Sequence, residues 1–102
     1  MSEPERRWRS QLAQIVAQQG FIHGSLLERQ RVCGKPTCRC TRGHKHRAVY
    51  LMLVQKGHTR QLYVPKRFEE SVRQWVRTFH TLRELMDQVS DVYWEKVQKR
   101  QG

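Results

Sequence analysis

"PKRFEESVRQWVRTFHTLRELMDQVSDVYWEKV" spans residues 65–97 and carries the longest regular pattern in the chain. Neither Pro nor Gly occurs from Lys66 to Arg100. Phe68, Val72, Trp75, Phe79, Leu82, Met86, Val89 and Tyr93 follow one another at intervals of 4, 3, 4, 3, 4, 3 and 4. That spacing keeps one apolar stripe on one side of a helix, as in an a/d heptad pattern. Pro65 suits a helix start, and Glu69 and Glu70 suit its positive N-terminal end. Glu69 with Arg73, and Glu95 with Lys99, add favourable pairs one turn apart.

A helix over 66–100 reaches about 50 Å at 1.5 Å per residue. A compact domain of this size has a radius of gyration of about 13 Å. The far half of the stripe therefore needs a cover. One candidate is the N-terminal segment, acting as an ordinary core. The other is a second chain, which makes Trp75, Phe79, Leu82, Met86, Val89 and Tyr93 self-association residues and the protein a homodimer.

Working toward the N-terminus, "AVYLMLVQ" and "TRQLYV" flank "KGH" at 56–58, two β-prone runs around a glycine turn. A β-hairpin is expected there. Residues 25–32 alternate weakly and read as a further strand, and 5–19 read as a short helix with Trp8, Leu12, Ile15 and Val16 on one stripe. Short strands need a helix across one face to stand in water. The expectation is one α+β domain over 1–102: a short N-terminal helix, a loop with two to three antiparallel strands over 25–64, and the long helix.

Between the first strand and the hairpin lies "RVCGKPTCRCTRGHKHRAVY", residues 31–50, which holds all three cysteines. Cys33, Cys38, Cys40 and His46, with His44 as the alternative fourth ligand, offer three thiolates and an imidazole. That is a common tetrahedral set for structural Zn²⁺. Gly34 and Pro36 favour a tight turn after the first ligand. The competing reading is three free thiols in a loop, which would be exposed among cations and easily oxidised. A catalytic metal fits less well, because four protein ligands leave no open position and no carboxylate base lies nearby.

Charge is concentrated in the same region. Residues 29–68 contain eleven Lys or Arg and no Asp or Glu, while the rest of the chain balances nine basic against nine acidic residues. The whole net charge of +11 thus belongs to one segment, which points to a polyanionic partner, DNA or RNA. The contact residues expected are Arg29, Arg31, Lys35, Arg39, Arg42, Lys45, Arg47, Lys56 and Arg60. Tyr50 and Tyr63 are either stacking surfaces for bases or a cross-strand pair. No helix is expected in this segment, so contact comes from loop and β-ribbon.

The stretch "GSLLERQRVCGKPTCRCTRGHKH", then the hairpin, "YVP" and the long helix, resembles a small bacterial Cys-rich family of unknown function over residues 24–85. Its most specific part is Cys33-Gly34-Lys35-Pro36, then Cys38 and Cys40, with His46 six residues further on. The family has Gly-Pro after that histidine, whereas this chain has Arg47-Ala48. Members often accompany transposase-like genes, so the resemblance implies DNA transactions and a transposase-like partner.

Nothing here suggests an enzyme: there is no Gly-rich phosphate loop, no paired carboxylates and no triad spacing. Residues 1–10 are too polar for a signal peptide, the longest apolar run (48–54) is too short for a membrane span, and an odd cysteine count suits a reducing cytoplasm. The expectation is a zinc-stabilised nucleic-acid-binding accessory protein of the cytoplasm. The alternative is a protein-docking module, adaptor or inhibitor, acting through the long helix and basic head.

Overall fold

The computed structural model describes residues 1–31 and 46–99. In chain order these form α1 (Glu3–Gln18), β1 (Ser25–Arg31), β2 (His46–Gln55), β3 (His58–Val64), a 3₁₀ turn (Lys66–Phe68) and α2 (Glu69–Gln98). The arrangement is α+β, as expected. Among the described residues, no helix is long and apolar enough to cross a membrane. The residues group into two compact units: one contains residues 1–22 and 77–102, the other 23–76.

In the first unit, α1 begins two residues earlier than the apolar stripe suggests, because Ser2 caps it. The Ser2 hydroxyl accepts the backbone N–H of Glu5 at 3.4 Å, and Pro4 occupies the first turn, where its missing donor costs nothing. The backbone turns extended at Gln19, whose N–H still closes on the Ile15 carbonyl. The later part of α2 lies antiparallel to α1: Tyr93 meets Glu5, whereas Thr78 Oγ1 lies 3.5 Å from Gln19 Oε1. Between these ends run half-buried Trp8, Leu12 and Ile15 from α1, with buried Leu82 and Leu85 and half-buried Val89 and Val92 from α2.

The seam on α2 therefore runs 78, 82, 85, 89, 92. It shares Leu82 and Val89 with the stripe expected from spacing but uses Leu85 in place of Met86 and Val92 in place of Tyr93. Met86 is 54% and Tyr93 43% exposed. On α1, Val16 is likewise exposed, outside the seam.

One end of this seam is closed by a polar cluster. Glu5 is fully buried, and its Oε2 accepts both Arg9 Nε at 2.7 Å and the Tyr93 hydroxyl at 3.1 Å. Arg9 Nη2 donates to the same hydroxyl at 3.1 Å. The hydrogen bond from Arg9 is the main influence holding the Glu5 carboxyl below the ordinary glutamate range, against the opposing pull of burial. A buried acid is tolerated here because its charge is met by a neighbour one turn away.

The second unit is an antiparallel sheet in the order β1-β2-β3, followed by the start of α2. Lys56 (φ 52°) and Gly57 (φ 77°) both adopt left-handed backbone, giving a two-residue turn of the kind that matches strand twist. His58 lies in β3, paired with Gln55, so the turn is tighter than the three-residue "KGH". The core is made of small β-branched side chains: Val49, Val64, Val72 and Val76 are all buried.

Gly24, just before β1, runs close against β2. A Cβ there would lie 2.9 Å from Leu51 Cδ1 and 3.0 Å from the Met52 carbonyl oxygen. The carbonyl cannot rotate away, so we expect Gly24→Ala to cost about 1–3 kcal/mol by overpacking, read as a lowered thermal midpoint.

Candidate nucleic-acid interface

Strand pairing sorts the basic segment onto two faces of the sheet. Register sets Glu28 opposite Val49 and Val49 opposite Val64, and it sets Leu27, Tyr50 and Tyr63 in one row. Side chains alternate along a strand, so Glu28, Arg47, Val49 and Val64 share the inner face. Leu27, Arg29, Ala48, Tyr50, Met52, Gln61 and Tyr63 share the outer face.

On the inner face Arg47 is neutralised. Its Nε lies 2.7 Å from Glu28 Oε1 and its Nη2 lies 3.4 Å from Glu69 Oε1. Glu28 is the larger cause of the upward shift of the Arg47 pKa, with Glu69 adding to it. These two acids are the residues that bound the acid-free window 29–68 in sequence, and both are directed to the same arginine. Arg47, expected as a nucleic-acid contact, thus ties β1 and β2 to the first turn of α2. Charge counting missed this, and only the strand register shows it. Among the described side chains of the window, Arg47 is the one cation held in an ion pair.

The outer face differs. Arg29 lies with its guanidinium carbon 5.5 Å from the Tyr50 ring centroid, a cation–π arrangement. Tyr50 and Tyr63 meet edge to face, with centroids 5.9 Å apart and planes at 68°. Tyr50 is half-buried, whereas Tyr63 is 54% exposed. Lys56 at the turn is exposed, as is Val54. Arg60 and Leu62 on the edge strand are also exposed, but register puts them on the face of Val49 and Val64. Just beyond β3, Arg67 lies over the Phe68 ring at 5.0 Å.

Lys35, Arg39, Arg42, Lys45, Cys33, Cys38, Cys40 and His44 lie outside the described residues, as does the Arg31 side chain. His46 is described in its backbone, as the first residue of β2, paired with Arg31 at the end of β1. Among the described residues, no group of three His, Cys, Asp or Glu side chains comes together to hold a metal.

Of the expected self-association residues, Leu82 is buried and Phe79 and Val89 are half-buried, whereas Trp75, Met86 and Tyr93 are exposed. Trp94 and Val97, 65% and 74% exposed, were missed by the heptad spacing, which passes beside them.

Residues 2–74 match a family model described as a domain of unknown function, DUF6788. No curated protein and no solved structure matches the chain.

Proposed function

The chain belongs to the DUF6788 family, which brings no activity with it, and from its residues we propose a nucleic-acid-binding accessory protein built around a zinc-stapled loop. The observation that carries this reading is the acid-free window. Eleven cations lie over residues 29–68, and its two flanking acids, Glu28 and Glu69, both pair with Arg47. Among the described residues, Arg29, Lys56 and Arg60 have no carboxylate partner, and they are suited to phosphate oxygens.

Zn²⁺ fits the same region. Cys33 follows Arg31 by two residues in sequence, and Arg31 is the register partner of His46. Cys38 and Cys40 supply the other thiolates, with His44 as the alternative to His46. The metal's contribution is structural, fixing a segment that has little apolar surface to bury. Resemblance to families found beside transposase-like genes makes a mobile-element setting, with a transposase-like protein partner, part of the proposal.

The test is equilibrium binding to duplex DNA, single-stranded DNA and single-stranded RNA across a salt series. Arg29→Ala, Lys56→Ala and Arg60→Ala combined should flatten log affinity against log salt by about 2–3 units, at 0.7–0.9 per lost contact. Arg47→Ala should leave the slope unchanged and lower thermal stability instead. Absence of wild-type binding at low salt, or an unchanged slope in the triple variant, overturns the reading.

A second reading, a protein-docking or homodimer surface on α2, is favoured by the exposure of Met86, Trp94 and Val97. It expects those residues to matter and the arginines to be dispensable.

A further inference from the structure

We infer that the outer face of the sheet is a stacking platform for an unpaired nucleobase, with Tyr63 as the contacting ring and Arg29 as the clamp on the adjoining phosphate. This inference rests on the nucleic-acid reading and narrows it to single strands.

Three observations carry it. First, the rings are held in place. Tyr50 and Tyr63 are register partners on adjacent strands, joined by a two-residue turn, and they meet edge to face. Such a pair is rigid enough to present a surface, because a strand side chain locked by a cross-strand neighbour loses little further freedom on binding. Second, the two rings are not equivalent. Tyr50 is half-buried with Arg29 over it, while more than half of Tyr63 faces solvent at 54% exposure. A ring serving only as cross-strand packing has no need of that exposure on the side away from the valine core. Third, the charge around the rings is of one sign. The outer-face row contains Arg29 and no Asp or Glu, because the acids adjoining the sheet, Glu28 and Glu69, are both on the Arg47 side.

The guanidinium carbon of Arg29 lies 5.5 Å from the Tyr50 ring centroid. Its five N–H donors exceed what one ring contact can engage, which leaves donors for a phosphate oxygen. A base stacked on Tyr63 and a phosphate on Arg29 are the two halves of a nucleotide. Within a duplex the base faces are already stacked on one another, so this surface discriminates against double strands. Stacking does not depend on which base is offered, so the preference is for strandedness and not for sequence.

The experiment compares fluorescein-labelled oligothymidylate, an oligouridylate of the same length, and a mixed-sequence duplex as probes. Tyr63→Val removes the ring while keeping a strand-forming residue, and Tyr63→Phe keeps the ring. Circular dichroism and melting check that each variant is folded. The expected result is a loss of single-strand affinity of about 5- to 150-fold for Tyr63→Val. Duplex binding should stay within about twofold, and Tyr63→Phe should match wild type. Equal losses on duplex and single strand, or no loss on either, overturn the platform while leaving nucleic-acid binding standing. A wild type that binds none of the three probes removes both.

Discussion

Leu85→Glu should lower the thermal midpoint by about 15–30 °C, while Met86→Glu should shift it by no more than a few degrees. The residues are neighbours in sequence, and both are good helix formers in an apolar arc, so neither propensity nor composition separates them. Their places on α2 do. Leu85 is 8% exposed in the seam with α1, and Met86 is 54% exposed beside it. Glutamate at 85 removes a buried leucine and puts a carboxylate into the apolar seam or forces the helices apart. The two effects together cost about 3–5 kcal/mol. For a chain of this size each kcal/mol corresponds to about 4–8 °C. At 86 the carboxylate stays in water, and exposed substitutions usually fall within about 0.5 kcal/mol. Similar destabilisation at both positions would place the seam on the Met86 face, contrary to the structure. Sedimentation of the Met86→Glu protein reads out the second function at the same time, since an α2 homodimer would dissociate while the protein stays folded.

Cys38→Ser should release the metal and lower stability by several kcal/mol out of a total on the order of 5–15 kcal/mol. The wild-type protein should contain about one zinc per chain by elemental analysis, and the variant none. The effect is expected to be large because, among the described residues, the buried apolar core of the second unit is four valines. Under the proposed zinc reading, metal binding there would contribute folding free energy, since unfolding scatters the ligands. His44→Ala and His46→Ala divide the remaining question: the variant that loses zinc identifies the fourth ligand. Zinc-free wild type whose melting is unchanged by Cys38→Ser would eliminate the staple. The basic surface would then stand without it.

The elements were legible in the sequence to within a few residues. Helix 66–100, the hairpin and the strand at 25–32 correspond to α2 with its 3₁₀ lead-in, β2–β3 and β1. Each rests on a local signal: a long interval without Pro or Gly, a glycine turn between β-prone runs, alternation of side chains. The seam was legible only in part. Apolar residues occupy a broad arc of α2, and a 4-3-4-3 walk through that arc can pass through Met86 and Tyr93 or through Leu85 and Val92. The Glu5–Arg9–Tyr93 cluster was not legible at all, because it joins residues 88 positions apart. Its one local trace is the one-turn spacing of Glu5 and Arg9.

The sequence by itself determined the α+β class, the order of elements and the concentration of charge in residues 29–68. These depend on residue type and spacing along the chain, which the backbone's short-range sterics and hydrogen bonding convert directly into helices, strands and turns. Only the tertiary structure decided which charges are available. Pairing β1 with β2 in one register brings Arg47 beside Glu28, and the turn into α2 brings it to Glu69, so a cation counted with the binding surface becomes a structural tie. The same register puts Arg29, Tyr50 and Tyr63 on the opposite face. A shift of one residue would exchange the two faces, because strand side chains alternate with a period of two. Register depends on how two distant segments pack their apolar sides together, and that information lies in no single stretch of the chain.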